Sequence, residues 1–148
     1  MDTGIFKITI DEKGRFIFPN KLRENIEKGS FILTYGVETC LQIISLEDFN
    51  LIKDTINKNA ASMFDRNSRK LLRRFVAPAT EILLDKTGRL SLPRALREDV
   101  GLDCKSEGIL LNAGPFIEIW SLSNYQANND DLDIEEATAQ LFSKMNEK

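Results

Sequence analysis

Two arginines stand in matched settings in this chain. Arg15 follows Asp11 by four residues and Gly14 by one, and Arg89 stands in the same relation to Asp85 and Gly88. An arginine beside a rigid turn presents a planar fork of donors that can bond O6 and N7 of guanine together, a task for which a flexible lysine is less suited. The aspartates admit two readings. Asp at the first and Gly at the fourth position is the preference of a type I turn, and this is the reading adopted for Asp11, Gly14, Asp85 and Gly88. The alternative is metal-assisted hydrolysis. Against it, each aspartate is the lone acid of its turn apart from Glu12 in the first, whereas metal centres gather several oxygen ligands.

Composition removes other chemistry. The chain has 148 residues, about one domain's worth, and no histidine, so a Ser-His-Asp triad, a Cys-His pair and any His-bearing metal site are excluded. Cys40 and Cys104 are far apart in sequence and in no paired motif. They predict neither a disulfide framework nor a Cys-based zinc site, fit a reducing cytoplasm, and read as small apolar packing residues. No catalytic residue, cofactor or metal is therefore expected. Apolar residues at 42% and charged residues at 29% fit a folded globular chain, and no apolar run approaches a membrane span. The N-terminal residues lack the basic flank and apolar core of an export signal. A net charge of −3 argues against a simple basic coat for nucleic acid. The acidity is concentrated after residue 129, where six acids face Lys144 and Lys148; the remainder is close to neutral.

The elements that carry the two arginines are duplicated. Residues 11–26 align without gaps on residues 85–100, with seven of sixteen positions identical: Asp, Gly, Arg, Pro, Leu, Arg and Glu. Downstream, Leu41-Gln-Ile-Ile-Ser-Leu46 matches Ile117-Glu-Ile-Trp-Ser-Leu122. In each unit a strand leads into a tight hairpin. Phe6, Ile8 and Ile10 alternate with Lys7 and Thr9. On the return strand Phe16 and Phe18 face inward while Arg15 and Ile17 face outward. The second unit repeats this, with Ile82, Leu84, Leu90 and Leu92 inward and Arg89 and Ser91 outward. Pro19 and Pro93 open short helices whose buried stripes are Leu22/Ile26 and Leu96/Val100. Further strands are expected at 31–35 with 40–44, and at 109–112 with 116–120. Ser45 with Asp48 caps the next helix, along which Leu46, Phe49, Ile52 and Ile56 recur. Neither half has enough apolar surface to stand well alone, so the two should interleave around one core with pseudo-two-fold symmetry.

Between and after the repeats lie two further segments. Arg66, Arg69, Lys70, Arg73 and Arg74 fall within nine residues free of acids. On a helix Arg66, Arg69/Lys70 and Arg73 form a basic stripe beside an apolar one of Leu71, Leu72 and Phe75. That stripe reads as a solvated or subunit-facing helix in preference to a second DNA surface. Arg23 and Arg97, each followed by a glutamate, read as surface or interface ion pairs. Gln126–Asp131 reads as a loop, followed by an amphipathic helix from Asp133 to Met145.

The duplicated Asp-x-x-Gly-Arg turn, with Pro four residues beyond the arginine and Leu-Arg-Glu soon after, resembles the MraZ family of bacterial transcriptional regulators. Each copy is similar to a domain of the SpoVT/AbrB class. The most specific stretch is Leu84-Asp-Lys-Thr-Gly-Arg-Leu-Ser-Leu-Pro93, continuing through Ala95-Leu-Arg97, Gly101-Leu102 and Glu118-Ile-Trp120. The resemblance implies an α+β, β-rich fold of two interleaved swapped-hairpin β-barrel repeats with flanking helices. The units are 5–49 and 80–125, joined by a helical segment 50–79 and followed by an acidic loop and helix, 126–148. It further implies a ring-like homo-oligomer, octamer or dodecamer, in the cytoplasm and at the nucleoid. Such a ring binds double-stranded DNA at promoter-proximal repeats, usually as a repressor of the division and cell-wall gene cluster that includes its own gene. On this reading Arg15 contacts base edges while Lys13 and Lys7 contact phosphate, and Arg89 and Lys86 occupy the equivalent places in the second unit. The competing non-enzymatic reading is a ring scaffold or an antitoxin-like partner binder.

Overall fold

The alternating strands and turn signals lead to an antiparallel sheet in which the two repeats pair with each other. The structure, a computed structural model, describes residues 4–59, 65–130 and 133–146. The first repeat supplies β1 (Ile5–Thr9), β2 (Arg15–Ile17), α1 (Asn20–Lys28), β3 (Phe31–Tyr35), β4 (Leu41–Ser45) and α2 (Leu46–Asn59). A short helix α3 (Arg66–Leu71) runs into a π-helical turn (Leu72–Val76). The second repeat follows with β5 (Thr80–Glu81), β6 (Arg89–Ser91), α4 (Arg94–Asp99), β7 (Glu107–Asn112), β8 (Ile117–Ser121) and α5 (Leu122–Asp130). Helix α6 (Ile134–Met145) closes the described chain.

Six strands form one sheet in the order β1-β7-β8-β4-β3-β5, and β2 pairs with β6 in a separate ribbon. The expected first hairpin is therefore opened, and the second keeps one bridge across its turn, Leu84 to Leu90. The Asp11–Gly14 turn is tight, but β1 pairs with β7 and β2 with β6, so the two strands it joins never pair with each other. This is the interleaving that two incomplete cores require, since the main core is filled by side chains of both repeats together. Strand register shows the pseudo-two-fold directly. In the ribbon Phe16 opposes Leu90, its own counterpart in the duplication, and in the sheet Gln42 opposes Glu118, again its counterpart. The axis passes through both pairs. Among the described residues the sheet ends at β1 and β5 and its pairing does not close into a barrel; one bridge, Leu84 to Leu90, links the β5 side to the ribbon.

Alternation along the strands divides the molecule into three layers. One face of the sheet carries Ile8, Leu33, Ile43, Leu110 and Ile119, which cluster with Phe16 and Leu90 of the ribbon and with Leu22, Ile26, Leu96 and Val100 of α1 and α4. The opposite face carries Ile32 and Ile44, packed with Phe49, Val76 and Phe116, and farther along Ile109 and Trp120, packed with Cys40, Leu122 and Tyr125. So α2, the segment after it and α5 cover the back, and the ribbon rides on the front.

Several local expectations change. Residues 126–130 are helical, because Ser121 Oγ accepts from Asn124 N and starts α5, which continues through them; Asp131 lies outside the described residues, as do residues 1–3, in which no export signal is read. Asp133 caps α6 through Glu136 N, as its spacing predicts. The basic segment is not one regular helix. A π turn, closed by Ala77 N donating to Leu72 O, interrupts it and holds Arg73 and Arg74. Arg74 donates to the Gly36 and Glu38 carbonyls and lies 4.6 Å over the Tyr35 ring. Of the cysteines, Cys40 packs as expected, and burial pushes its thiol up to about 12; Cys104 is exposed at the surface.

Candidate nucleic-acid interface

The two turns are built alike from their aspartates. Asp11 Oδ1 accepts the backbone N–H of Lys13 and of Arg15, each at 2.9 Å, and Oδ2 accepts Arg15 Nε at 3.0 Å. Asp85 Oδ1 accepts from Thr87 N, Thr87 Oγ1 and Arg89 N, and Oδ2 accepts Arg89 Nε at 3.0 Å. In each case the aspartate closes the turn and holds the arginine that follows it. The backbone N–H bond from the arginine four residues on leads in drawing each carboxyl below the ordinary carboxylate range. A carboxyl depressed in the folded state contributes stability above its unfolded value near 3.8, and that contribution is lost as pH falls below it. The urea midpoints of wild type and Asp85→Asn should therefore differ most near neutral pH and draw progressively together as pH falls below 3.8. A gap independent of pH would assign the turn's stability to something other than the ionised carboxylate.

The fourth position of each turn is glycine for two reasons. Gly14 and Gly88 have φ of 79° and 81°, in the left-handed region where a side chain is strained. They are also covered by an arginine from the other repeat. A β-carbon on Gly14 would lie 2.8 Å from Arg97 Nε, and one on Gly88 would overlap the Arg23 guanidinium. This corrects the reading of Arg23 and Arg97 as surface ion pairs. Arg97 is 8% exposed and donates to Leu102 O, and Arg23 donates to Phe18 O. The neighbouring glutamates pair elsewhere, Glu24 with Lys28 and Glu98 with Arg94. The backbones also cross over, with Leu92 N donating to Gly14 O and Phe18 N to Gly88 O. Each turn is thus seated by the opposite repeat. The only signal for this in the sequence is that Leu-Arg-Glu is identical in both copies.

The ribbon gathers what the chain keeps 74 residues apart. In the register Arg15 opposes Ser91 and Ile17 opposes Arg89, so all four side chains share the outward face while Phe16 and Leu90 point into the core. Arg15 and Arg89 lie on one diagonal of this four-residue face, a relation that sets residues about 7–8 Å apart with their β-carbons somewhat closer, and Ile17 and Ser91 on the other. Among the described residues, the side-chain bonds of both arginines end at Nε, with the aspartate accepting. Lys13 and Lys86 are exposed on the turns at the two ends of the ribbon. They are not equivalent positions, since Thr87 stands in the place of Lys13 and Lys86 in that of Glu12. Lys7 is not brought to this face. It opposes Ile109 in the β1–β7 register, and Ile109 packs on the back of the sheet with Trp120, so strand alternation turns Lys7 away from the ribbon. The segment of Arg66, Arg69, Lys70 and Arg73 also follows α2 on the back.

Comparison with known proteins agrees with the doubled architecture. The family profile described as "MraZ protein, putative antitoxin-like" matches residues 1–74 and again residues 75–145. A protein of Treponema denticola named Transcriptional regulator MraZ is 40% identical over 124 residues, covering 84% of each chain. Relatives with the same name from Alkaliphilus metalliredigens and a Thermoanaerobacter species are each 34% identical. The first covers 88% of each chain, the second 93% of this chain and 94% of its own.

Proposed function

This chain belongs to the MraZ family, and from that premise we propose that it is a sequence-specific DNA-binding transcriptional regulator. The observation that carries the reading is the outward ribbon face, where a two-stranded element narrow enough for the major groove presents two braced arginines side by side. The major groove admits such a ribbon, and guanine offers there the paired acceptors that a guanidinium matches. Arg15 and Arg89 read base edges, while Lys13 and Lys86, at the ends of the ribbon, neutralise flanking phosphates. Lys7, on the other side of the sheet, has no part in this contact. The near-neutral body is no obstacle, because affinity depends on the charge of the contacting face.

The finer reading is a repressor of the division and cell-wall gene cluster including its own gene, acting in the cytoplasm at the nucleoid as a ring of eight or twelve copies. Several ribbons presented to regularly spaced DNA boxes would raise a weak single contact by effective concentration. Self-association is supported by apolar side chains left exposed on the back, Leu51, Ile52 and Leu71, and on α6, Leu141, Phe142 and Met145. A metal-dependent hydrolase is disfavoured by the aspartates themselves, whose oxygens are engaged by their own turns.

The test is a titration of the protein on the DNA just upstream of its own gene, beside an unrelated duplex, across a series of salt concentrations. Preference for the upstream DNA, with affinity falling steeply as salt rises, is the expected result. Equal and weak binding to both would pass the function to a scaffold or an antitoxin-like partner binder.

A further inference from the structure

The ribbon face repeats its arginines under the pseudo-two-fold but not its second diagonal. Arg15 and Arg89 are counterparts in the duplication; Ile17 and Ser91, also counterparts, differ completely in chemistry. Ile17 is 67% exposed, and it sits directly opposite Arg89 and two residues along the strand from Arg15. A solitary exposed isoleucine elsewhere would need no explanation. Here it stands in the middle of the surface proposed to enter the groove, flanked by the two groups that would read guanine.

The major groove offers one apolar group to a side chain in that position, the 5-methyl of thymine. The spacing fits: base pairs rise about 3.4 Å per step along a strand, so two arginines about 7–8 Å apart span about two steps. A branched aliphatic side chain between them meets the edge of a neighbouring base. Ser91, at the far end of the diagonal that Ile17 occupies, presents a hydroxyl that bonds donors and acceptors of several bases and contributes little discrimination. We infer that Ile17 is a specificity-determining residue that takes a thymine methyl beside the guanines read by Arg15 and Arg89. On this inference the reading head is directional: its arginines are symmetric, and Ile17 against Ser91 tells one strand orientation of the site from the other. The inference rests on the DNA-binding reading above.

The experiment removes the methyl and nothing else. The shortest upstream duplex that the protein binds specifically is prepared with each thymine in turn replaced by uracil, and affinities are measured for wild type, Ile17→Ser and Ile17→Val. Ile17→Ser copies the residue of the pseudo-symmetric position, and Ile17→Val keeps a branched apolar contact. Wild type should lose about fourfold at one thymine per box, the worth of one buried methyl. Ile17→Val should keep that sensitivity, while Ile17→Ser should bind the thymine and uracil duplexes alike. A merely structural role for Ile17 would change affinity for both duplexes equally and leave their ratio in place. The inference is overturned if wild type binds its site specifically but no uracil replacement weakens it, or if Ile17→Ser remains sensitive at the same thymine. Absence of any preference for the upstream DNA in wild type would instead remove the DNA-binding reading, and this inference with it.

Discussion

Replacing Arg15 by alanine should leave a folded protein that binds its own upstream DNA no better than an unrelated duplex. A bidentate contact to guanine is worth about 1–3 kcal/mol of discrimination, or about 5- to 150-fold per box, and assembly of several boxes multiplies the loss. The fold should survive, because the turn does not depend on the guanidinium. Asp11 Oδ1 still accepts the backbone N–H groups of residues 13 and 15, and Gly14 N still donates to Asp11 O. The half-buried Arg15–Asp11 pair is a single bond at Nε, and its loss should cost only modest stability. Thermal unfolding and gel filtration establish that the variant is intact; binding to both duplexes at matched salt then isolates the base contact. Lys13→Ala supplies the contrast. Removing a phosphate contact should weaken both duplexes alike and reduce the salt dependence by about one ion. Operator preference retained in Arg15→Ala would remove the ribbon face as the reading surface.

Gly88→Ala should destabilise the protein strongly, through backbone and contact together. The left-handed backbone alone costs a side chain about 1–2 kcal/mol, and the new β-carbon would overlap Cζ and Nη2 of Arg23, adding an overpacking cost of about 1–3 kcal/mol. Gly14→Ala, where the nearest atom of Arg97 is 2.8 Å away, should cost less. The two contributions can be separated by a double-mutant cycle with Arg23→Ala. With the guanidinium gone, the alanine at position 88 should retain only the backbone penalty, so the two substitutions together cost less than the sum of their separate costs. Additive costs in denaturant unfolding would mean that Arg23 does not seat the turn. Because Arg23 belongs to the first repeat and Gly88 to the second, such coupling also tests the interleaving itself.

Short-range physics made much of this protein legible in its residues. The Asp-to-Gly spacing states a turn, and the turns form with the expected bonds. Alternation over 5–10 states a half-buried strand, and Ser45 and Asp133 cap the helices they precede. Each of these depends on residues within about four positions of one another, which is the range over which propensity and capping act. The duplication carried the reading further, because a repeat too small for its own core must share one with its copy. Gln126–Asp131 misled for the same reason that the turns did not. Its polar residues favour a loop locally, and helix α5 extends through residues 126–130 because it is started upstream at Ser121.

What only the tertiary structure decided is who meets whom across 74 residues. Nothing local distinguishes a hairpin whose strands pair with each other from one whose strands exchange partners with a second copy; the answer lies in which arrangement buries both apolar faces. That exchange sets Arg15 and Arg89 on one surface and Ile17 between them, and it sends Lys7 and the basic segment after α2 to the far side of the sheet. It also turns Arg23 and Arg97 from apparent surface charges into the groups that cover Gly88 and Gly14. The residue types and their turns were determined by the sequence. Their assembly into one face required the pseudo-two-fold pairing of β2 with β6, a contact whose energy comes from burying Phe16 and Leu90 in a core that neither repeat possesses alone.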